Sequence, residues 1–459
     1  MKTTGPLAVL VAALFFAPAR AAATPLALPL ATHARLGNGL DVLVVPSTRL
    51  PLVDLRLVVR AGAVDDPSGK EGLARLTAAL MTQGAGSRDA RTLADDIAFV
   101  GGTLDADGGA EQMVVTCEVL RKDFATGLEL FHDVIVAPRF AEDEVRRKRD
   151  EALGEIASDR NDPGLVADES MQSFLFGAGP LGHPVIGWET SVSKLTRGDV
   201  AAFHDRWVRP DRSLLAVVGD VDAKSAIATL EKAFADWKKS VEPEAAPYAA
   251  VPQPRGRQIE IVHKPEVTQT QIRIACMGVP RNHPDYFPIR IANTILGEGF
   301  TSRLVNEIRV NQGLTYGISS GFTMYRNAGS FEIETFTRND AVRKTVDAAL
   351  AEMRKLEEQG PTDAEVEKAK RFLTGQFPLG LQAPDALAAA RLDVAFYDLD
   401  PQFLERFSGR VNAVTMTDVR RCMKAYFCRD DVRILVVSDS TKARPQLASL
   451  GAIVVREPR

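Results

Sequence analysis

Two stretches of the chain, residues 195–220 and 414–439, carry the same pattern at an offset of 219 residues, the separation of Thr196 from Thr415. In each, an Asp lies three residues after this Thr, and an amphipathic run, a polar turn and a short apolar run follow. This order predicts a helix with a capping box at its start, followed by a buried strand. Because the same parts recur in the same order, the chain is constrained to two related domains.

The segment between the two repeats, residues 241–257, has the composition of a connector. It contains Pro243, Pro247, Pro252 and Pro254. Proline at this density is typical of an extended, semi-rigid linker. We therefore place the first domain at 30–240 and the second at 258–459.

Hydrophobic periodicity within each domain predicts strands first, then a helix, further strands and finally long charged helices. The predicted strands are Leu40–Val45, Val53–Val59, Gln112–Glu118, Gln258–Val262, Gln271–Cys276 and Ser330–Thr335. The predicted helices include Gly72–Met81 and Pro288–Leu296. Because helices and strands do not alternate regularly, the pattern favours an α+β fold over a doubly wound sheet.

The first 22 residues have the pattern of a secretory signal peptide. Lys2 precedes the apolar run Leu7–Phe16, and Ala19-Arg20-Ala21 fits a small-x-small cleavage site. The apolar run is too short to span a bilayer, and no later stretch is long and apolar enough to do so. The sequence therefore predicts an exported protein, which in a bacterium means a periplasmic or secreted one.

Charge and cysteine content narrow the function classes. A net charge of −4 gives no basic surplus of the kind that nucleic-acid binding requires. Cys117, Cys276, Cys422 and Cys428 form no CxxC motif, which argues against a redox site. An oxidising compartment permits a disulfide, but we expect free, partly buried thiols.

A candidate site lies in the second domain. Apolar residues at helical spacing predict a helix over Arg303–Gln312, Gly313 is suited to end it, and a strand is predicted over 314–322. This places Arg309 near the helix end and Tyr316 near the strand start. A cation and a phenol on a rigid corner could position a peptide or stabilise an oxyanion. The alternative is an ordinary surface helix followed by a half-buried strand.

The order and spacing of several segments resemble the pitrilysin/insulinase (M16) family of zinc peptidases, in its short two-domain branch. The segments are LGNGLDVLVVP, AGAVDDPSGKEGLARL, GGTLDA, LGHPVIGWE and LLAVVGDVD in the first half, and Gln269, RNHPDY, ILGEGFTSRL and the Arg309/Tyr316 corner in the second. The resemblance implies two homologous domains, each a mainly antiparallel sheet covered by helices. Together they would form half of a clam-like chamber.

Active members of the family carry His-x-x-Glu-His on the first helix of the first domain, where two His bind zinc and the Glu is the general base. The matching positions here are Arg75, Ala78 and Ala79, none of which can ligate zinc. Glu155 matches the distal Glu ligand, and Lys148 stands at a supporting acidic position. The resemblance therefore implies that this chain binds no metal and that Glu155, beside the two cations Arg75 and Lys148, is part of a salt-bridge site.

Some family members that lack the zinc ligands pair with a homologue that kept His-x-x-Glu-His. The resemblance then implies a catalytic role for Arg309 and Tyr316 at a zinc site in the partner, acting on a peptide substrate. Arg309 would hold the substrate backbone or orient Tyr316, and Tyr316 would stabilise the oxyanion. The alternatives are a non-catalytic structural or peptide-binding subunit, as in the core of some respiratory complexes, and a homodimeric peptide-holding chamber.

Overall fold

The structure is a computed structural model, and it describes residues 28–241, 248, 255–427 and 431–458. The predicted signal peptide, most of the predicted linker and Cys428 lie outside these ranges. The domain boundary at 241–257 stays a prediction.

The first half of the chain builds a mixed six-stranded sheet. Its strands are β1 (Thr32–Arg35), β2 (Asp41–Pro46), β3 (Leu52–Val59), β4 (Thr103–Gly108), β5 (Met113–Leu120) and β6 (Ser213–Gly219). The spatial order is β1-β2-β6-β3-β5-β4, and only the β2–β6 pair is parallel. In this order β3 lies between β5 and β6.

The second half builds a sheet of the same kind. Its strands are β7 (Gln258–His263), β8 (Gln269–Met277), β9 (Ile318–Met324), β10 (Gly329–Arg338), β11 (Arg433–Ser438) and β12 (Ile453–Arg456). Their order is β12-β7-β11-β8-β10-β9. The five strands β7-β11-β8-β10-β9 follow one another as β2-β6-β3-β5-β4 do in the first sheet. This confirms the predicted α+β class with two related units.

Helices cover both sheets. In the first half they are α1 (Leu73–Met81), α2 (Ala90–Phe99), α3 (Phe124–Val136), α4 (Glu142–Asp159), α5 (Pro163–Phe176), α6 (Glu189–Val192), α7 (Arg197–Trp207) and α8 (Ala223–Ala233). In the second half they are α9 (Tyr286–Leu296), α10 (Val342–Gln359), α11 (Asp363–Gln376), α12 (Pro384–Phe396), α13 (Phe403–Ala413), α14 (Met416–Tyr426) and α15 (Ser440–Leu447).

The repeated sequence unit forms the predicted structure twice. The Thr196 hydroxyl accepts a hydrogen bond from the Asp199 amide at the start of α7, and Thr415 does the same for Asp418 at the start of α14, each at 3.2 Å. In both places the Asp carboxylate accepts from the Thr amide, which completes a capping box. The strands that follow, β6 and β11, are buried along their whole length.

A reciprocal exchange of helices buries the second face of each sheet. Helix α5, from the first half, packs Val166, Met171 and Leu175 against Val262 and Leu435 of the second sheet. Helix α12, from the second half, packs on the first sheet in the same way, through Leu387, Leu392 and Phe396 against Leu43 and Val218. Alternate strand residues face these two helices, while the residues between them face the main core. Each half therefore supplies part of the other's core.

The cysteines only partly follow the expectation of free thiols. Cys117 and Cys422 are free and buried, and burial raises the pKa of each thiol to about 12. Cys276 is disulfide-bonded, so the expectation was wrong for this residue. Among the described residues, no helix combines the length and apolar character needed to cross a membrane.

Candidate functional site

The helix at the predicted zinc-motif position, α1, is held tightly in place. The Asp66 carboxylate accepts hydrogen bonds from the amides of Gly72 at 2.7 Å and Ala74 at 2.8 Å, which satisfies the first turn of the helix. At Gly108 of β4, a Cβ atom would lie 2.6 Å from the Cα of Arg75, so only glycine fits there. The backbone of α1 is therefore fixed against the edge strand of the first sheet.

Arg75 and Ala79 lie one turn apart on a half-buried face of α1, whereas Ala78 is fully buried. The Arg75 guanidinium donates from Nη2 to both carboxylate oxygens of Glu155 on α4, at 2.9 and 3.1 Å. Lys148, expected beside Glu155, pairs instead with Glu151 at 2.9 Å. The predicted salt-bridge site exists, but with one cation and not two. Because both partners are partly exposed, the pair contributes at most about 1 kcal/mol of stability.

These residues do not fit a zinc ion. Structural and catalytic zinc sites need three or four nitrogen, sulfur or oxygen ligands, and the positions of the motif offer two methyl groups and a guanidinium. The one carboxylate, Glu155, is already engaged by Arg75. Across the described ranges, no group of three or more His, Cys, Asp or Glu side chains is placed to hold a metal.

The Arg309 segment differs from the predicted α-helix. Val305–Asn311 forms a π-helix, in which the Gln312 amide donates to the Glu307 carbonyl five residues earlier, at 3.0 Å. Gly313 then takes a left-handed conformation with φ of 59°, as a helix stop requires. The strand predicted over 314–322 begins later, at Ile318 of β9. π-helical turns are rare in proteins, and those that occur often lie at functional sites.

The turn between the π-helix and β9 is anchored by threonines of the neighbouring strand, β10. The Thr337 hydroxyl donates to the Leu314 carbonyl at 2.7 Å, and the Thr335 hydroxyl donates to the Gly317 carbonyl at 2.9 Å. Thr315 closes the turn by accepting from the Gly317 amide at 3.1 Å. The backbone on both sides of Tyr316 is therefore fixed.

Arg309 and Tyr316 are in contact, as the sequence predicts. The guanidinium carbon lies 4.9 Å from the centre of the Tyr316 ring and 6.0 Å from that of Phe300. These are cation–π distances, and they hold Arg309 between the two rings. Tyr316 is 77% exposed and Phe300 82% exposed. Within the described residues, neither the Arg309 guanidinium nor the Tyr316 hydroxyl has a hydrogen-bond partner.

The arrangement presents one phenolic donor and one guanidinium to solvent on a fixed backbone. Such groups can stabilise a developing negative charge, but neither is a nucleophile or general base for peptide hydrolysis at neutral pH. Phe300 was not predicted as part of the site. Its signal in the sequence is weak, because it is a single aromatic residue directly after Gly297-Glu298-Gly299.

Comparison with known proteins covers both halves of the chain. Residues 42–188 match the family model described as "Insulinase (Peptidase family M16)", and residues 194–373 match "Peptidase M16 inactive domain". The two matches lie in the order in which the two related units occur. The first includes α1, and the second includes the Arg309/Tyr316 corner.

Individual relatives that align over most of the chain agree with the family-model matches. The chain is 29% identical to an uncharacterized zinc protease of Mycobacterium leprae over 324 residues, which are 71% of this chain and 73% of that protein. It is 25% identical to an uncharacterized zinc protease of Streptomyces coelicolor over 397 residues, 85% of this chain and 83% of that protein.

Solved structures show the same fold. The peptidase M16 inactive domain of Pseudomonas fluorescens superimposes with a TM-score of 0.84 at 27% identity, covering 89% of this chain and 98% of that one. A protease from Helicobacter pylori shares the fold with a TM-score of 0.80 at 20% identity, covering 89% of this chain and 100% of that one. With the paired domain matches and the two-sheet architecture, these likenesses show that the chain belongs to the insulinase (M16) peptidase family and is a member without the His-x-x-Glu-His motif.

Proposed function

We propose that this protein is the zinc-free subunit of an exported, heterodimeric M16 metallopeptidase. Its partner would be a homologue that carries His-x-x-Glu-His, so that zinc and the general base come from the partner. This chain would form one half of a clam-like chamber for a peptide substrate. Arg309 and Tyr316 would act on the peptide at the partner's zinc site.

The observation that carries the proposal is that Tyr316 stands on a fixed backbone with its ring exposed. Its hydroxyl has no hydrogen-bond partner among the described residues. A tyrosine kept only for packing would bury its ring, yet this ring is 77% exposed while the backbone around it is tied to β10. A hydroxyl held in this way loses little conformational entropy when it meets a ligand. It suits hydrogen bonding to a group that another molecule brings.

The chemistry of the two subunits would be complementary in this arrangement. Hydrolysis of a peptide bond passes through a tetrahedral intermediate whose oxyanion needs hydrogen-bond donors. The Tyr316 hydroxyl would donate one such bond, and the Arg309 guanidinium, stacked 4.9 Å from the ring centre, would fix the ring and favour negative charge nearby. The positions of Arg75, Ala78 and Ala79 explain why the chain would not cleave peptides by itself.

Export rests on the predicted signal peptide at residues 1–22. The disulfide-bonded Cys276 supports this part of the proposal, because disulfides persist in oxidising compartments and are rare in the cytosol. Mass spectrometry of the protein recovered from a periplasmic fraction would give the mature N-terminus.

Mixing the purified chain with a zinc-bearing M16 homologue from the same genome tests the function. We expect the two to elute together on gel filtration, and we expect peptide cleavage by the mixture to exceed that of the homologue alone by at least tenfold. The chain alone should show no cleavage, with or without added zinc.

Two results would separate the alternatives. A stable complex whose peptidase activity does not depend on this chain would favour the non-catalytic structural or peptide-binding subunit. If the chain elutes as a homodimer and does not bind the homologue, the heterodimer is wrong and the homodimeric chamber is favoured.

A further inference from the structure

A cavity of about 320 Å³ lies among α9, α11, α12 and α13, on elements other than those that carry Tyr316. Most of its wall is apolar, formed by Leu373, Phe377, Leu381, Val394, Leu404 and Phe407. Its polar lining includes Arg281 and Asp393. Small-molecule sites in proteins have this size and this mixture of apolar walls with a few polar groups.

The Arg281 guanidinium is held in place by aromatic rings. Its central carbon lies 4.2 Å from the centre of the Tyr286 ring and 4.9 Å from that of Phe403, so it contacts both rings. Its Nη1 atom is buried and has no hydrogen-bond partner among the described residues. A buried donor without an acceptor costs about 1–3 kcal/mol. A carboxylate in the cavity would offer the missing acceptor.

Asp393 supplies the opposite charge on the same cavity wall. Its side chain is partly exposed, and within the described ranges it forms no ion pair with Arg281. Burial raises the pKa of its carboxyl, and the nearby Arg281 guanidinium acts in the opposite direction. The other cation that lines the cavity, Arg290, is engaged by Glu298 at 3.2 Å. One cation and one anion therefore face the cavity, and within the described residues no ion pair joins them.

We propose that this cavity binds a small zwitterion with an apolar side chain, either a free amino acid or a dipeptide. The carboxylate would accept hydrogen bonds from Arg281, the ammonium would pair with Asp393, and the side chain would lie against Phe377 and Phe407. A monocarboxylate or a simple amine would satisfy one charge and leave the other. The site requires neither a partner subunit nor catalysis, and so it stands independently of the proposed peptidase role.

Isothermal titration of the purified chain with four probes tests the assignment. L-phenylalanine and alanyl-phenylalanine, which carry both charges, should bind saturably, and the tighter of the two identifies the source of the ligand. N-acetyl-phenylalanine lacks the ammonium and phenylalaninamide lacks the carboxylate, so each should bind at least tenfold more weakly than phenylalanine. No saturable binding of either zwitterion up to roughly 10 mM would overturn the proposal.

Variants place the ligand in the cavity. Arg281→Gln should weaken binding of phenylalanine at least tenfold, whereas Arg91→Gln, on an exposed part of α2, should leave it unchanged. Because loss of Arg281 also removes its aromatic stacking, Asp393→Asn provides a second readout. It should remove the preference for phenylalanine over N-acetyl-phenylalanine. Undiminished binding to Arg281→Gln, or an unchanged preference in Asp393→Asn, would show that the ligand binds elsewhere.

Discussion

At the scale of single residues, the sequence located the Arg309/Tyr316 contact because both lie in one short segment around a glycine. The pair meets with the guanidinium 4.9 Å from the ring centre. The third member, Phe300, comes from a separate loop, so its approach depends on the packing of α9 and β9. The sequence contains no local signal for that approach.

Asp54 of β3 is a buried carboxyl whose charge is poorly compensated. It is 3% exposed, and no described residue forms a hydrogen bond with its Oδ1 atom. Burial raises its pKa to about 7 from 3.8, against the attraction of Arg56. Since the unfolded chain ionises this group near pH 4, the folded state loses stability as pH rises from about 4 to 7, and the full cost is present above pH 7.

We therefore expect Asp54→Asn to stabilise the protein at pH 8 by on the order of 2 kcal/mol and to have little effect at pH 4. Urea unfolding of both proteins at the two pH values measures the difference. The exposed Asp41→Asn serves as control and should be neutral at both. An equal effect of Asp54→Asn at pH 4 and pH 8 would mean that ionisation of the carboxyl does not destabilise the folded state.

At the scale of elements, the regular helices and strands were predictable wherever local pattern decides the structure. The capping boxes at Thr196 and Thr415 and the apolar runs of β6 and β11 are visible in the sequence because each feature depends on residues close in the chain. The π-helix at Val305–Asn311 was predicted as an α-helix. Over so short a segment the apolar pattern of Val305 and Ile308 fits either helix type, so it does not show that the hydrogen bonds reach five residues back.

Helix α1 carries two positions, 75 and 79, beside a carboxylate, although the residues at these positions cannot ligate zinc. Positions 75 and 79 share one half-buried face, and Glu155 approaches that face. We expect Arg75→His/Ala79→His to bind one zinc ion per chain, since two His at i and i+4 with a Glu form a known ligand set. Zinc content after dialysis measures this.

Two controls sharpen that experiment. The wild-type protein should retain no stoichiometric zinc, and Arg75→His/Ala79→His/Glu155→Gln should lose most of the zinc that the double variant binds. If the double variant dialyses free of zinc, then α1 and α4 do not bring the two imidazoles and Glu155 within reach of one ion.

At the scale of the whole molecule, the exchange of α5 and α12 joins the two halves through shared apolar cores. The sequence showed that β6 and β11 are apolar throughout, which requires cover on both faces, but it could not show that the cover comes from the other half. Contacts between residues more than 100 positions apart leave no local periodicity. The ion pair between Arg273 of β8 and Asp168 of α5, at 2.6 Å, is one such contact.

We expect Phe396→Ala, on α12, to destabilise the first half although the residue belongs to the second. The side chain is fully buried against the first sheet, and its loss should cost about 3–5 kcal/mol. Amide hydrogen exchange should accelerate in β3 and β6. Phe99→Ala, at a side chain that is 91% exposed, is the matched control and should change stability by less than about 0.5 kcal/mol. Faster amide hydrogen exchange confined to the second half would contradict the packing of α12 on the first sheet.

The most direct test of the central claim is the single-turnover rate of peptide cleavage by the complex of this chain with its zinc-bearing homologue. Tyr316→Phe removes only the hydroxyl, so the complex should form normally and cleave about 10²–10³-fold more slowly. Tyr426→Phe is the matched control. It removes a hydroxyl on α14 that donates to Asp285 at the start of α9, and the complex should cleave at the wild-type rate. An unchanged rate for Tyr316→Phe would show that Tyr316 does not stabilise the oxyanion.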